Sequence, residues 1–309
     1  MQHERAILAS ALWQKCAAMV AAKRVLSGAI LMLAVSVSGC STIDFAYSMA
    51  PTALGLMADN YLDLDGEQET LLKERLLTVR EWVRTTQMQE VSKLLNEVRA
   101  RTAGKVTVED VVWLTAEGRR LWKVTGTRVA TEIMEMAPRL TADNLAALKK
   151  KFARNNAEYT KDTVDATPRK QRDKRLERVK ENAERWYGSF DDAQMERIKA
   201  MADALPMNPR LILDERMRRQ NALLAILQGM VDKTLARADA QARLITLFTE
   251  FETGRSPAYQ NHAATYLKAS QEMTAEIANL ASAEQRDTAQ RRFKRWVDDM
   301  ANLAARKEP

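Results

Sequence analysis

Cysteine, histidine and glycine are scarce in this 309-residue chain, which holds two, two and ten of them. The cysteines are Cys16 and Cys40, so nothing beyond residue 40 can form a disulfide or offer a thiolate. Beyond that point the only histidine is His262, and zinc, which draws several His or Cys ligands, finds no ligand set there. His262 stands in a polar segment beside Asn261 and reads as a helix-surface or capping residue. A Ser-His-Asp or Cys-His site would also need a nucleophile and an orienting group, and neither a nucleophile elbow nor a cysteine partner accompanies it. There is no phosphate-cradling glycine loop, so no metal and no cofactor is expected. Apolar runs are short as well: none reaches the roughly 20 residues that a membrane-spanning helix needs.

The first forty residues have their own character. Lys23 and Arg24 precede the stretch Val25 to Val37, apolar except for Ser27, Gly28 and Ser36, and Val37-Ser38-Gly39-Cys40 follows. A basic start, an apolar stretch of about 7–15 residues and small residues before a cut are the three parts of a secretory signal. The Val37–Cys40 segment resembles the lipobox of bacterial lipoproteins. That resemblance implies cleavage between Gly39 and Cys40, lipidation of Cys40, and attachment to a membrane through it. Ser41, in place of Asp after the cysteine, implies the periplasmic face of the outer membrane as the location. The expected organisation is a signal peptide over 1–39 (with translation starting at Met19), a lipid-anchored segment over 40–62, and a helical periplasmic domain over 63–306.

Setting the presequence aside alters the charge. The chain has 48 basic and 41 acidic residues, of which residues 1–40 hold four basic and one acidic. The 44 basic and 40 acidic residues left give only +4, and nucleic acid is not expected as a partner. With 46% hydrophobic and 29% charged residues, the composition is that of a folded helical protein rather than a disordered one.

Apolar residues recur three or four apart, as in Leu72, Leu76, Val79 and Val83, or Leu223, Leu224, Leu227 and Val231. Breaks fall at Gly104, Pro138, Thr167-Pro168, Gly188, Leu205 to Pro209, and Gly254 to Pro257. The spacing predicts an all-α chain of about eight to ten helices, paired in antiparallel hairpins within an elongated or curved bundle. Five helix starts carry a common pattern: Asp65 with Gln68, Thr107 with Asp110, Thr141 with Asn144, Asp191 with Gln194, and Ser282 with Gln285. In each, the first residue suits an N-cap that accepts from a backbone N–H of the first turn. The second can bond back to the cap's own N–H, completing a capping box.

The five segments resemble the LTxxQ motif of the Spy/CpxP class of periplasmic helical proteins, although only Leu140-Thr141 keeps the Leu-Thr pair and it ends in Asn144. That resemblance implies a chaperone that holds unfolded polypeptide on a helical face. A wider one runs over most of the chain: the lipobox, Phe45-Ala46-Tyr47, Tyr61 to Gln68, Arg185-Trp186-Tyr187-Gly188, and Arg218-Arg219-Gln220. The chain is similar in these to an uncharacterised family of proteobacterial lipoproteins with a long helical domain, which implies a fold and a location but no activity.

Candidate surfaces are few. Lys149, Lys150, Arg169, Lys170, Arg172, Lys174 and Arg175 form a basic surface suited to anionic head groups or an acidic partner. With Asp173, Glu177 and Glu181 interleaved, the same run also reads as a salt-bridged exposed helix. Trp82, Trp113, Trp122, Trp186 and Trp296 lie among helical apolar positions and are expected in the core. Asp63, Asp65, Glu67 and Glu69 read as a solvated helix start rather than a cation site, since the EF-hand spacing is missing. Ile43 to Leu62, apolar and without Lys or Arg, is expected to pack on the domain rather than lie in the membrane interface. The function expected is non-enzymatic: a membrane-tethered periplasmic protein that binds another envelope protein or maintains the envelope. The alternatives are a Spy-like chaperone and a glycan-active enzyme using two carboxylates.

Overall fold

A computed structural model describes residues 42–250 and 255–306, and these are α-helical nearly throughout, with no strand among them. The helices are α1 (Thr42–Leu62), α2 (Gly66–Trp82), α3 (Met88–Arg101), α4 (Val108–Met136), α5 (Ala142–Tyr159), α6 (Pro168–Tyr187), α7 (Asp192–Ala204), α8 (Pro209–Val231), α9 (Arg237–Thr249), α10 (Pro257–Leu280) and α11 (Ala283–Ala305). A π-helical turn, Val83–Gln87, joins α2 to α3 in one continuous run, which leaves ten helical rods among the described residues. Ala46–Pro309 is a single compact unit, and the packing below is that of this unit.

All five sequence-predicted capping boxes are formed. Asp65, Thr107, Thr141, Asp191 and Ser282 are the N-caps of α2, α4, α5, α7 and α11, and each box is closed in both directions. Four of the boxes go further and join in pairs. Gln68 Nε2 donates to Asn144 Oδ1 at 2.9 Å while Asn144 Nδ2 returns to Gln68 Oε1 at 3.3 Å. Gln194 and Gln285 exchange bonds of 2.9 and 3.0 Å in the same way. Each amide also donates to a backbone carbonyl just before its partner's N-cap: Gln68 to Arg139, Asn144 to Asp63, Gln194 to Leu280 and Gln285 to Ser189. One side chain thus caps its own helix and pins the entry of another.

Helix C-termini are held by arginines. Arg237 donates to the Met134 carbonyl of α4 at 3.0 Å, Arg219 to the Leu247 carbonyl of α9 at 3.0 Å, and Arg292 to the Glu184 carbonyl of α6 at 2.8 Å. From the π turn, Arg84 reaches the Ala304 and Arg306 carbonyls at the end of α11. Cations at these positions satisfy orphan carbonyls and oppose the negative end of the helix dipole.

The interior divides in two. Around the second half of α4, Ala130, Met134, Ile226, Ala240 and Leu244 are buried and pack with Ile133, Leu223 and Met230. The same Ile133, Leu223 and Met230 belong to the adjoining cluster of Ala137, Leu145, Leu148 and Leu227, so the two are one continuous core. Gly126 of α4 lets the end of α9 come close, since a Cβ there would lie 3.3 Å from the Phe248 carbonyl oxygen. The end of α1 joins this core through Tyr61 and Leu62, with Asn155 Nδ2 donating to the Tyr61 hydroxyl at 2.8 Å. Elsewhere on α1, Met49, Leu54, Leu56 and Met57 are exposed, so Ile43 to Leu62 packs only in part, contrary to expectation.

The other half, built on the first half of α4, has three smaller clusters. They centre on Val106, Val111, Ala275 and Ala278; on Val98, Ala289 and Phe293; and on Ala183, Ile198 and Ile277. The first two share only Tyr187, and the third shares no side chain with either.

Candidate functional site

The gap between the three clusters is a cavity of about 650 Å³. Protein interiors are close-packed and rarely leave voids larger than a water molecule, whereas ligand sites are mostly apolar hollows of about 300–1,000 Å³ with a few placed polar groups. Each wall is positioned by side-chain bonds that tie its helix to a neighbour. On one side α3 gives Leu95, Val98 and Arg101, and Gln290 of α11 holds its end by donating to the Arg99 carbonyl at 3.0 Å. Val111, Trp113 and Leu114 come from α4, whose lead-in is clamped by Asn279: the Val106 N–H donates to Asn279 Oδ1 at 2.9 Å, and Asn279 Nδ2 returns to the Val106 carbonyl at 2.7 Å. Opposite, α10 supplies Tyr266, Met273, Ile277 and Ala278, and α11 supplies Phe293. The α6 wall comprises Val179, Ala183, Trp186 and Tyr187 with Arg175, Arg178 and Asn182 along its edge, a spacing that keeps all seven on one helical side.

The floor is aromatic. Trp186 stacks on Phe293 with centroids 4.5 Å apart and tilts against Trp296 at 5.1 Å. Burial pushes the Tyr187 phenol above its ordinary range. Val98, Val106, Leu205, Ile277, Ala278 and Phe293 are all buried, while Leu114, Tyr266, Arg101 and Arg178 stand exposed where the cavity opens. Among the lining residues Asp110 is the single carboxylate, and it is already engaged. Bonds from the Thr107 backbone N–H and hydroxyl hold its carboxyl below the usual range, and Arg101 adds an ion pair at 3.1 Å. The two-carboxylate arrangement of a glycosidase is not formed in this cavity.

The sequence-predicted site residues fall in different places. Gly39 and Cys40 lie outside the described residues. The ten capping-box residues are structural, and only Asp110 among them touches the cavity. Of the basic surface, Lys149, Lys150, Arg169, Lys170 and Arg172 are exposed, and the ion pairs of the Arg169–Arg185 run among the described residues are Arg169 with Asp173 at 3.9 Å and Arg175 with Asp203 at 3.4 Å. The expected ladder of interleaved salt bridges is therefore thin. Lys174 and Arg175 are half-buried instead: Lys174 donates to the Asp162 carbonyl at 2.8 Å, and the Arg175 side chain is only 13% exposed. Trp122 departs from the expected core position, being 47% exposed with its indole N–H on the Phe248 carbonyl at 2.7 Å. His262 is half-buried beside Tyr266, ring centroids 6.5 Å apart. Among the described residues no three His, Cys, Asp or Glu side chains form a metal-holding group.

Two features are missing from the sequence reading. One is the cavity, whose walls come from residues between Leu95 and Phe293. The other is a buried charge cluster in which Glu215 receives both arms of Arg218 at 2.7 and 2.8 Å and lies 3.4 Å from Arg255. The i,i+3 spacing of Glu215 and Arg218 hinted at a pair, but nothing announced its burial.

The fold and site define an all-α helical protein with an apolar, arginine-edged cavity. The chain belongs to a family of unknown function, DUF6279, whose match covers residues 60–260 and hence α2 to α9 with the start of α10. The α10 and α11 walls of the cavity lie beyond the matched segment. Comparison with curated proteins and with solved structures gives no match.

Proposed function

We propose that this is a lipid-anchored protein of the bacterial envelope, tethered through Cys40 to the periplasmic face of the outer membrane, whose helical domain binds a ligand without transforming it. The observation that carries the binding role is the 650 Å³ cavity between three incompletely closed clusters. Its lining offers apolar area and hydrogen-bond donors, and its one carboxylate is spent on a capping box and an ion pair. The tether is supported by the basic, apolar and small-residue order ending at Cys40. It is further supported by exposed Met49, Leu54, Leu56 and Met57 on the helix that follows, apolar surface compatible with a nearby bilayer. The proteobacterial lipoprotein resemblance fits the same reading.

Binding is tested with the full-length chain in phosphatidylcholine vesicles and the neutral dye N-phenyl-1-naphthylamine, excited by energy transfer from the cavity tryptophans. Saturable transfer that is lost in Ala278→Phe supports the proposal, and transfer equal in both chains refutes it. The tether is tested by mass spectrometry of the processed N-terminus: a lipidated Cys40 is expected, and an unmodified Cys40 still joined to Gly39 contradicts it.

A further inference from the structure

The charges at the cavity edge are not balanced. Three arginines and one aspartate line it, and Arg101 is committed to Asp110 at 3.1 Å and Glu97 at 2.9 Å while lying 4.0 Å above the Trp113 ring. The remaining two, Arg175 and Arg178, stand one turn apart on α6. Arg175 has a single ion pair, with Asp203 at the long distance of 3.4 Å, and its Nε is buried with no hydrogen-bond partner. Arg178 is exposed and makes no ion pair among the described residues; its hydrogen bond is a 3.4 Å contact to the Lys174 carbonyl. A small recess lined by Lys174, Arg175, Arg178 and Met207 adjoins this side, and it shares Arg175, Arg178 and Met207 with the cavity. The site is thus bipartite, with aromatic and aliphatic walls that give onto one cationic edge.

That division selects a ligand. A wholly apolar molecule would bury the floor but leave the arginine donors unsatisfied, which costs free energy wherever they are desolvated. A cationic amphiphile would meet like charge. An oxyanion satisfies guanidinium groups with charge-assisted and often bidentate bonds. We propose that the cavity binds a single-chain amphiphile with an oxyanion head, carboxylate or phosphate, with its chain against Trp186, Phe293 and Ile277 and its head at Arg175 and Arg178. This rests on the reading of the domain as a binding module.

The test uses the dye-loaded full-length chain in phosphatidylcholine vesicles and three competitors of equal chain length: dodecanoate, dodecyl phosphate and dodecyltrimethylammonium. Displacement by at least one of the anions at about tenfold lower concentration than by the cation is expected, the size of one charge-assisted bond. Comparing the two anions distinguishes a carboxylate from a phosphate head. Arg178→Glu, at an exposed position without an ion pair among the described residues, is expected to weaken the anions by about tenfold or more and to remove their advantage over the cation. Equal displacement by anion and cation, unaltered by Arg178→Glu, overturns the head-group assignment while leaving cavity binding intact. Failure of the dye to bind at all overturns both.

Discussion

The two halves of α4 meet different surroundings, although the helix is one unbroken rod from Val108 to Met136. Its second half presents Ala130 and Met134, at 0% and 1% exposure, to a core in which neighbouring clusters share side chains. Its first half presents Val111, Trp113 and Leu114 to a space that three clusters surround without filling. The difference is not a shortage of apolar residues. Where α4 meets α8 and α9, small residues (Gly126, Ala130, Ala240) let backbones approach and medium-sized chains interdigitate. On the other side Ala275 and Ala278 of α10 pack with Val111, Asn279 and Gln271 fix α10 to the lead-in of α4 and to α4 itself by hydrogen bonds, and Trp186 and Tyr187 of α6 line the hollow that is left. One end of the helix is built for stability, and the other holds a space open.

Substitutions of the same chemistry at the two ends give the sharpest contrasts. Met134→Ala empties a filled site and is expected to cost about 2–5 kcal/mol in urea unfolding, while Met273→Ala, which only enlarges an existing hollow, should cost less than about 1.5 kcal/mol. Equal costs would mean that the cavity walls are packed as tightly as the core. Overfilling comes next: Ala130→Phe should cost about 1–3 kcal/mol, whereas Ala278→Phe, with room beside it, should stay within about 0.5 kcal/mol of the parent. The paired capping boxes differ in burial between the halves. Gln68, at 4% exposure, should cost about 1–3 kcal/mol when changed to Ala, and half-buried Gln194 about 0.5–1.5 kcal/mol, because water can replace part of its bonding. Matching losses for the two glutamines would put the difference elsewhere.

The smallest contrast is in pH. In the folded chain the carboxyl of Asp110 is held low by the Thr107 N–H and hydroxyl with Arg101, that of Glu81 by its hydrogen bond to Arg84, and that of Glu90 by Lys93. A carboxyl held below its unfolded value contributes stability above that value and loses it as pH falls through the folded one. Melting temperature should therefore drop below about pH 4, the ordinary aspartate range, and the drop should be shallower in Asp110→Asn. An identical acid slope in parent and variant would exclude Asp110 as a contributor.

Local features were legible in the sequence. Every predicted capping box is present because its atoms lie within four residues of one another, and the breaks at Gly104, Pro138 and Gly188 fall where helices end. Gly188 earns its place with a φ of 84°, a conformation glycine adopts without cost. What the sequence did not carry was which helix faces which. Gln68 meets Asn144 across 76 residues and Gln194 meets Gln285 across 91, and neither partnership leaves a periodic trace. The same blindness hid the cavity, since a tryptophan at a helical apolar position reads alike whether it fills a core, borders a hollow, as Trp113 and Trp186 do, or, as with Trp122, stays exposed.

Native mass spectrometry of the full-length chain isolated from its own cells tests the cavity most directly. The parent should carry an added mass of one single-chain anionic amphiphile that Ala278→Phe lacks while remaining folded. A parent without that mass, or a parent and variant carrying it equally, would contradict the cavity as the binding site.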